Sequence, residues 1–123
     1  MKRWTKYHAT KTTVNGIVFD SKKEAKRYYE LLKLQEQGEI SDLNRQVKFL
    51  LIPKQVEPDK VGPKGGITKG RVIEREVAYI ADFTYRDVEG NLIVEDTKGV
   101  RTPEYVIKRK LMLERHGIKV REV

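Results

Sequence analysis

Residues 77–98 read VAYIADFTYRDVEGNLIVEDTK, and no other stretch of the chain restricts the fold as strongly. Apolar residues occupy both faces of a strand from Val77 to Phe83, which requires a central place in a sheet. That strand is expected to begin near Val72 and run to Tyr85. The DVEGN turn then returns the chain into a second short apolar run, NLIV. Side chains alternate along a strand, so Leu92, Val94, Asp96 and Lys98 share one face. A half-buried strand ordinarily puts its charges on the face opposite its apolar residues. Here an acid and a base continue the apolar row. Counting outward from a turn centred at 88–89 sets Asp82 opposite residues 95–96, beside Asp96.

The remaining elements follow from local signals. Asn15-Gly16 between TTV and IVF predicts a β-hairpin. Ser21 with Glu24 three residues later reads as a capping box opening a helix that ends near Gln37, where Gly38 supplies the stop. At 100° per residue Ala25, Tyr28, Leu31 and Leu32 form its apolar stripe, and Glu24 projects inside it. QVKFLLI (46–52) predicts a strand. Residues 53–70 hold three of the four prolines and four of the nine glycines, and are expected to lack regular structure. The lysines of that segment, Lys64 and Lys69 among them, suit either a flap over an anionic ligand or a plain mobile loop. Thr102-Pro103 opens a second helix that closes at Gly117, and IKVREV gives a last short strand. The expected organisation is a basic tail over residues 1–12 and one α/β domain over 13–123. The tail, with Trp4 and Tyr7 interleaved among lysines, is either frayed or an arm along phosphates.

Composition removes several functional classes. The chain of 123 residues has no cysteine, which excludes disulfides and thiolate metal sites. His8 and His116 are too far apart in sequence to give metal-ligand spacing. No apolar run approaches the roughly 20 residues of a membrane span and no signal segment is present, so a cytoplasmic location without membrane contact is expected. Twenty-six Lys and Arg against 18 Asp and Glu give a net charge of +8. That balance suits a polyanionic partner, nucleic acid above all, or simple solubility.

Like-charged neighbours repel, so Asp82 and Asp96 need a compensating cation: Lys98, a metal, or both. Mg²⁺ or Mn²⁺ fits, because magnesium takes one or two protein carboxylates and completes its shell with water and phosphate. Lys98 is placed to act on a water at such a site, and Glu24 to complete or order it, which is chemistry for phosphodiester hydrolysis. Bland readings stand beside each residue. Glu24 could only close its capping box, Asp82 could bond a turn amide, and Asp96 with Lys98 could be a solvated edge pair. Glu95 lies on the opposite face and is set aside.

With Asp82, then Asp96-Thr97-Lys98, and Glu24 in the preceding helix, the chain resembles the PD-(D/E)xK nuclease superfamily. Ala81 stands where that motif has proline, which is not a ligand. FDSKKEAKRYYEL followed by Gln46 resembles short phage and prophage proteins of the superfamily, and more loosely transposon-end endonucleases and Holliday-junction resolvases. The resemblance implies a restriction-endonuclease-like core over residues 21–123: helix, three strands, helix, strand. It implies a metal-dependent endonuclease acting on DNA, with catalytic Glu24, Asp82, Asp96 and Lys98. Metal would be held by Asp82, Asp96 and the Thr97 backbone carbonyl. Gln46 is either a substrate contact or a structural glutamine. Lys108 and Lys110, with Arg109 and Arg115 on the same helix, either track the DNA backbone or form a solvated face. A homodimer would present two sites to two strands. The alternatives are a non-catalytic basic DNA-binding module with a vestigial site, an RNA-directed nuclease, and a basic ribosome-associated protein.

Overall fold

The computed structural model describes residues 12–123. The basic tail expected over residues 1–12 lies outside them, except for Thr12, which opens the first strand. The fold is mixed α/β. In chain order the elements are β1 (Thr12–Val14), β2 (Ile17–Phe19), α1 (Lys22–Glu36), β3 (Ser41–Ile52), β4 (Gln55–Val56), β5 (Lys60–Val61), β6 (Ile67–Thr68), β7 (Val72–Glu74), β8 (Val77–Arg86), β9 (Leu92–Asp96), α2 (Pro103–His116) and β10 (Arg121–Glu122). The main sheet has strand order β10-β9-β8-β3. Its β3/β8 and β8/β9 pairs are antiparallel, while β10 runs parallel to β9 after the α2 crossover. Among the described residues, no helix is long and apolar enough to cross a membrane.

The local signals act as their chemistry requires. Asn15 and Gly16 adopt positive φ, the geometry of a two-residue hairpin turn matched to strand twist. The Ser21 hydroxyl accepts from the Glu24 amide at the head of α1. Thr102 caps α2 in the same way with Pro103 in its first turn, and Gly117 closes it in the left-handed conformation. Asp87 organises the 87–91 turn by accepting from the amides of Glu89 and Asn91, both at 2.9 Å.

Three expectations need correction. The strand predicted from Val72 to Tyr85 is interrupted after Glu74, giving β7 and β8 separately. The segment 53–70, expected to be irregular, instead carries β4, β5 and β6. β4 pairs with β7 and β5 with β6, so the chain leaves β3 and returns to β8 as a two-stranded ribbon. Its prolines and glycines sit between very short paired runs, where they cost the ladder little. The strand predicted over 46–52 also begins earlier, at Ser41, with positive φ at Asp42 and Gln46.

Among the described residues, two hydrophobic clusters make the core. Leu51, Tyr79, Ala81, Val94 and Val120 pack with Tyr105 and Met112 of α2. Phe19, Ile40, Phe83 and Tyr85 pack with Ala25 and Leu31 of α1. Strand β8 therefore hands its buried row from one helix to the other between Ala81 and Phe83, and Asp82 sits at that handover. A buried ion pair ties α1 to the sheet. Glu95 is 0% exposed and takes both Nε (2.8 Å) and Nη2 (2.7 Å) of Arg27, and the Tyr85 hydroxyl also donates to it. Burial and the bond to Glu95 push the Tyr85 hydroxyl up to about 12.

Removing one partner of a buried pair strands the other charge. Arg27→Met should therefore destabilise the domain by about 3–5 kcal/mol. The double variant Arg27→Met/Glu95→Leu should recover most of that loss, and a thermal-melt double-mutant cycle measures both.

Candidate active site

Strand register brings the two acids together. The β8–β9 ladder ends at the Phe83–Glu95 pair, and one residue beyond it on each strand the Asp82 and Asp96 carboxyls lie close enough to interact. Asp96 is 1% exposed, which overturns its reading as a solvated edge residue. The Tyr79 hydroxyl donates to its Oδ2, whereas Oδ1 is buried without a hydrogen-bond partner. The nearest compensating charge is Lys98 Nζ, 3.5 Å from Oδ1. Burial first, then the neighbouring Asp82 carboxyl, pushes Asp96 up to about 7. Its adjacent buried acid, Glu95, is set apart by pleat and partner: Glu95 meets Arg27 of α1, while Asp96 lies towards Tyr79.

Asp82 is held by the residue that follows Asp96. Its Oδ2 accepts from the Thr97 amide at 2.9 Å and from Thr97 Oγ1 at 2.8 Å. Asp82 therefore does bond a backbone amide, but that of Thr97 just beyond β9 rather than a turn amide. This bond also ties the two strands together at their open end.

Glu24 comes from the first turn of α1. Its backbone amide serves the cap, but its carboxylate accepts from Gln46 Nε2 at 3.2 Å. Burial, then the charge of Asp82, holds the Glu24 carboxyl above its usual range. Gln46, flanked by the Arg45–Phe83 and Val47–Ala81 register pairs, faces the Asp82 position from the other neighbouring strand. Helix α1, β3, β8 and β9 thus converge on one acidic corner.

Tyr79, Arg45, Lys23 and Tyr105 join this corner without having been singled out in the sequence. Tyr79 is one more apolar-looking position in a buried strand. Arg45 stacks its guanidinium 4.4 Å from the Phe19 ring centroid and lowers the pKa of Glu24 by its charge. Lys23 Nζ donates to the Lys98 carbonyl at 3.2 Å. Lys98 Nζ lies 4.7 Å from the Tyr105 ring centroid, a cation–π contact that fixes the ammonium beside Asp96. Helical spacing from Thr102 and an aromatic after a proline were the only available signals for Tyr105.

A cleft of about 300 Å³ opens beside Lys98, lined by Tyr79, Thr102, Tyr105 and Lys108 among others. Lys108 also pairs with Glu104 at 3.0 Å. Lys110 borders a different cavity with Arg109 and Lys119, so the basic residues of α2 are divided between two surfaces. Arg109 is occupied by Glu122 at 3.3 Å. Lys64 and Lys69 lie on the ribbon, Lys69 paired with Asp59 at 3.3 Å. Among the described residues no three His, Cys, Asp or Glu side chains form a metal-holding cluster. A cation at this corner would therefore rest on the Asp82 and Asp96 carboxylates, where Asp96 Oδ1 has no hydrogen-bond partner and only the Lys98 ammonium at 3.5 Å for company. Two carboxylates suffice for a hydrated magnesium ion.

Residues 4–122 match the model of a family described as protein of unknown function, DUF1064. No curated protein and no solved structure matches the chain.

The raised Asp96 fixes the sign of a pH effect. The unfolded carboxyl loses its proton near the ordinary value of 3.8, the folded one near 7. This group's contribution to stability is therefore complete below the lower value and is lost as pH rises through the upper. The expected loss in metal-free protein is about 2–4 kcal/mol. The difference in melting temperature between wild type and Asp96→Asn, followed from pH 4 to 8 in EDTA, should grow in favour of the variant and then level.

Proposed function

The chain belongs to the DUF1064 family, and we propose that it is a metal-dependent endonuclease that hydrolyses DNA phosphodiester bonds. One observation carries the reading: two neighbouring acids at the ends of adjacent strands, one of them buried with an oxygen that accepts no hydrogen bond and has a lysine 3.5 Å away. A fold that stores such repulsion gains nothing in stability from it, and a divalent cation is the ligand that would relieve it. Asp82 and Asp96, with the Thr97 carbonyl, would hold Mg²⁺ or Mn²⁺, which supplies a Lewis acid and a more acidic water.

The chain's own groups account for the remaining chemistry. In hydrolysis a water oxygen bonds to phosphorus, the bond to the leaving oxygen breaks, and that oxygen takes a proton. Lys98, held by Asp96 and the Tyr105 ring, orients the attacking water and offsets charge growing on the phosphoryl oxygens. Glu24 accepts the proton of the attacking water; its raised pKa brings it closer to the range a general base needs. Gln46 fixes the Glu24 carboxylate, and Lys108 on the adjoining cleft takes a backbone phosphate. The sequence of α1, β3, β8, β9, α2 and β10 supports a restriction-endonuclease-like core for this site. A homodimer cutting both strands belongs to the same proposal.

A non-catalytic DNA-binding module is the competing reading. The engagement of Asp82 Oδ2 by Thr97 favours it, since that oxygen already has two donors.

Cleavage of a panel of linear, nicked and branched DNAs separates the two. Strand scission should require Mg²⁺ or Mn²⁺ and fail with Ca²⁺, whose larger, looser coordination polarises water poorly. Lys98→Ala should lower the rate by at least about 10²-fold while DNA affinity stays within about twofold. Mg²⁺ should raise the melting temperature of wild type but not of Asp82→Asn or Asp96→Asn. Binding without any metal-dependent scission, and no thermal response to Mg²⁺, would leave the binding module as the function.

A further inference from the structure

The ribbon between β3 and β8 is built as an arm. Beyond the β4–β7 pair, the Glu57 amide donates to the Arg71 carbonyl at 2.8 Å. The Gly70 amide donates to Asp59 Oδ1 at 2.8 Å, and Lys69 pairs with the same carboxylate. The two strands approach so closely there that a Cβ on Gly70 would lie 1.6 Å from the Glu57 carbonyl oxygen. β5 and β6 then pair, and the tip closes through Gly62 N–H to the Gly66 carbonyl at 2.7 Å. The acids of the arm are thus partly consumed in holding its shape.

The arm exposes apolar side chains at its tip and bases along its stem. At its tip Val61 and Ile67 are registered opposite each other, 75% and 67% exposed. Pro63 and Lys64 lie between them in the tip loop. Lys54, Lys60, Lys64 and Arg71 form no ion pair among the described residues, and although Glu57 and Glu74 form none either, the bases outnumber the acids, so the ribbon stays net positive around an apolar end. A two-stranded ribbon fits a duplex groove, lysines serve phosphates, and an apolar tip can enter between base pairs and kink the helix.

We propose that the β4–β7 ribbon is a DNA-deforming arm, in which Lys60 and Lys64 hold phosphates while Val61 and Ile67 wedge a base step. The occupant is duplex DNA, and the argument is the charge surrounding the apolar pair. The inference rests on the DNA-directed reading of the protein but not on its catalysis.

The test is done in EDTA, where no strand is cut, on a 30-base-pair duplex carrying a donor and an acceptor dye at its ends. Binding of wild type should raise energy transfer, because a wedge bends DNA by about 20–90°. Val61→Ser/Ile67→Ser should bind within about tenfold of wild type without the rise in transfer. Lys60→Gln/Lys64→Gln should reduce the slope of log affinity against log salt by about 2. Each variant is checked by its unchanged melting temperature, since all four side chains lie off the core. DNA bound with no bend, or a bend that survives the Val61/Ile67 variant, overturns the proposal while leaving the nuclease reading to the cleavage assay. A wild-type dimer in sedimentation that becomes monomeric in that variant, with bending unaltered, also overturns it and assigns the tip to a second copy.

Discussion

Two consecutive residues, Glu95 and Asp96, are both buried carboxylic acids, and the fold treats them in opposite ways. Glu95 receives a bidentate guanidinium and a tyrosine hydroxyl, so its charge is satisfied within the protein. Asp96 receives one tyrosine hydroxyl, a lysine at the edge of contact, and the company of another carboxyl. The pleat of β9 separates them, one towards α1 and the other towards Tyr79. Everything around the site depends on that division. The satisfied acid anchors the strand end, and the anchored strand end can hold the unsatisfied acid in place.

Helix α1 joins the two tasks. Arg27 clamps Glu95, Ala25 and Leu31 fill the core, and Glu24 looks towards Asp82 from the first turn. Because these residues lie within three turns of one helix, a shift that loosened the clamp would also displace Glu24. Thr97 performs a similar double service on the sheet side, joining β9 to β8 through Asp82. The corner is therefore held by polar bonds to residues adjacent in sequence, set against the buried side chains of Ala81, Phe83 and Val94. Rigid placement is what a site that concentrates like charge requires.

Much of this was legible because it is local. Asn15-Gly16, Ser21, Thr102-Pro103 and Gly117 act through turn and cap chemistry within a few residues, and the structure puts each element where those signals place it. That Asp82 and Asp96 are neighbours follows from counting away from one turn, which involves no distant part of the chain. What escaped notice is non-local or without period. Arg27 meets Glu95 across 68 positions, and no pattern in either segment announces it. The ribbon has paired runs of two or three residues, too short to show alternation, and one of its ties is Asp59 reaching Gly70 across 11 positions. The division of Lys108 from Lys110 depends on what packs beside α2, which the sequence of that helix does not carry.

The main sheet ends on one side in β10, only two residues long, and on the other in β3, which has 12. A straight strand of that length with a free edge is a template for unwanted pairing with other chains. β3 is not straight. Positive φ at Asp42 and Gln46 turns the backbone out of line, and its register with β8 slips near both ends. The kink at Gln46 that faces the acidic corner therefore has a second effect. It interrupts the row of outward amides and carbonyls, so the bend that shapes the site also protects the sheet from growing by recruitment of its neighbours.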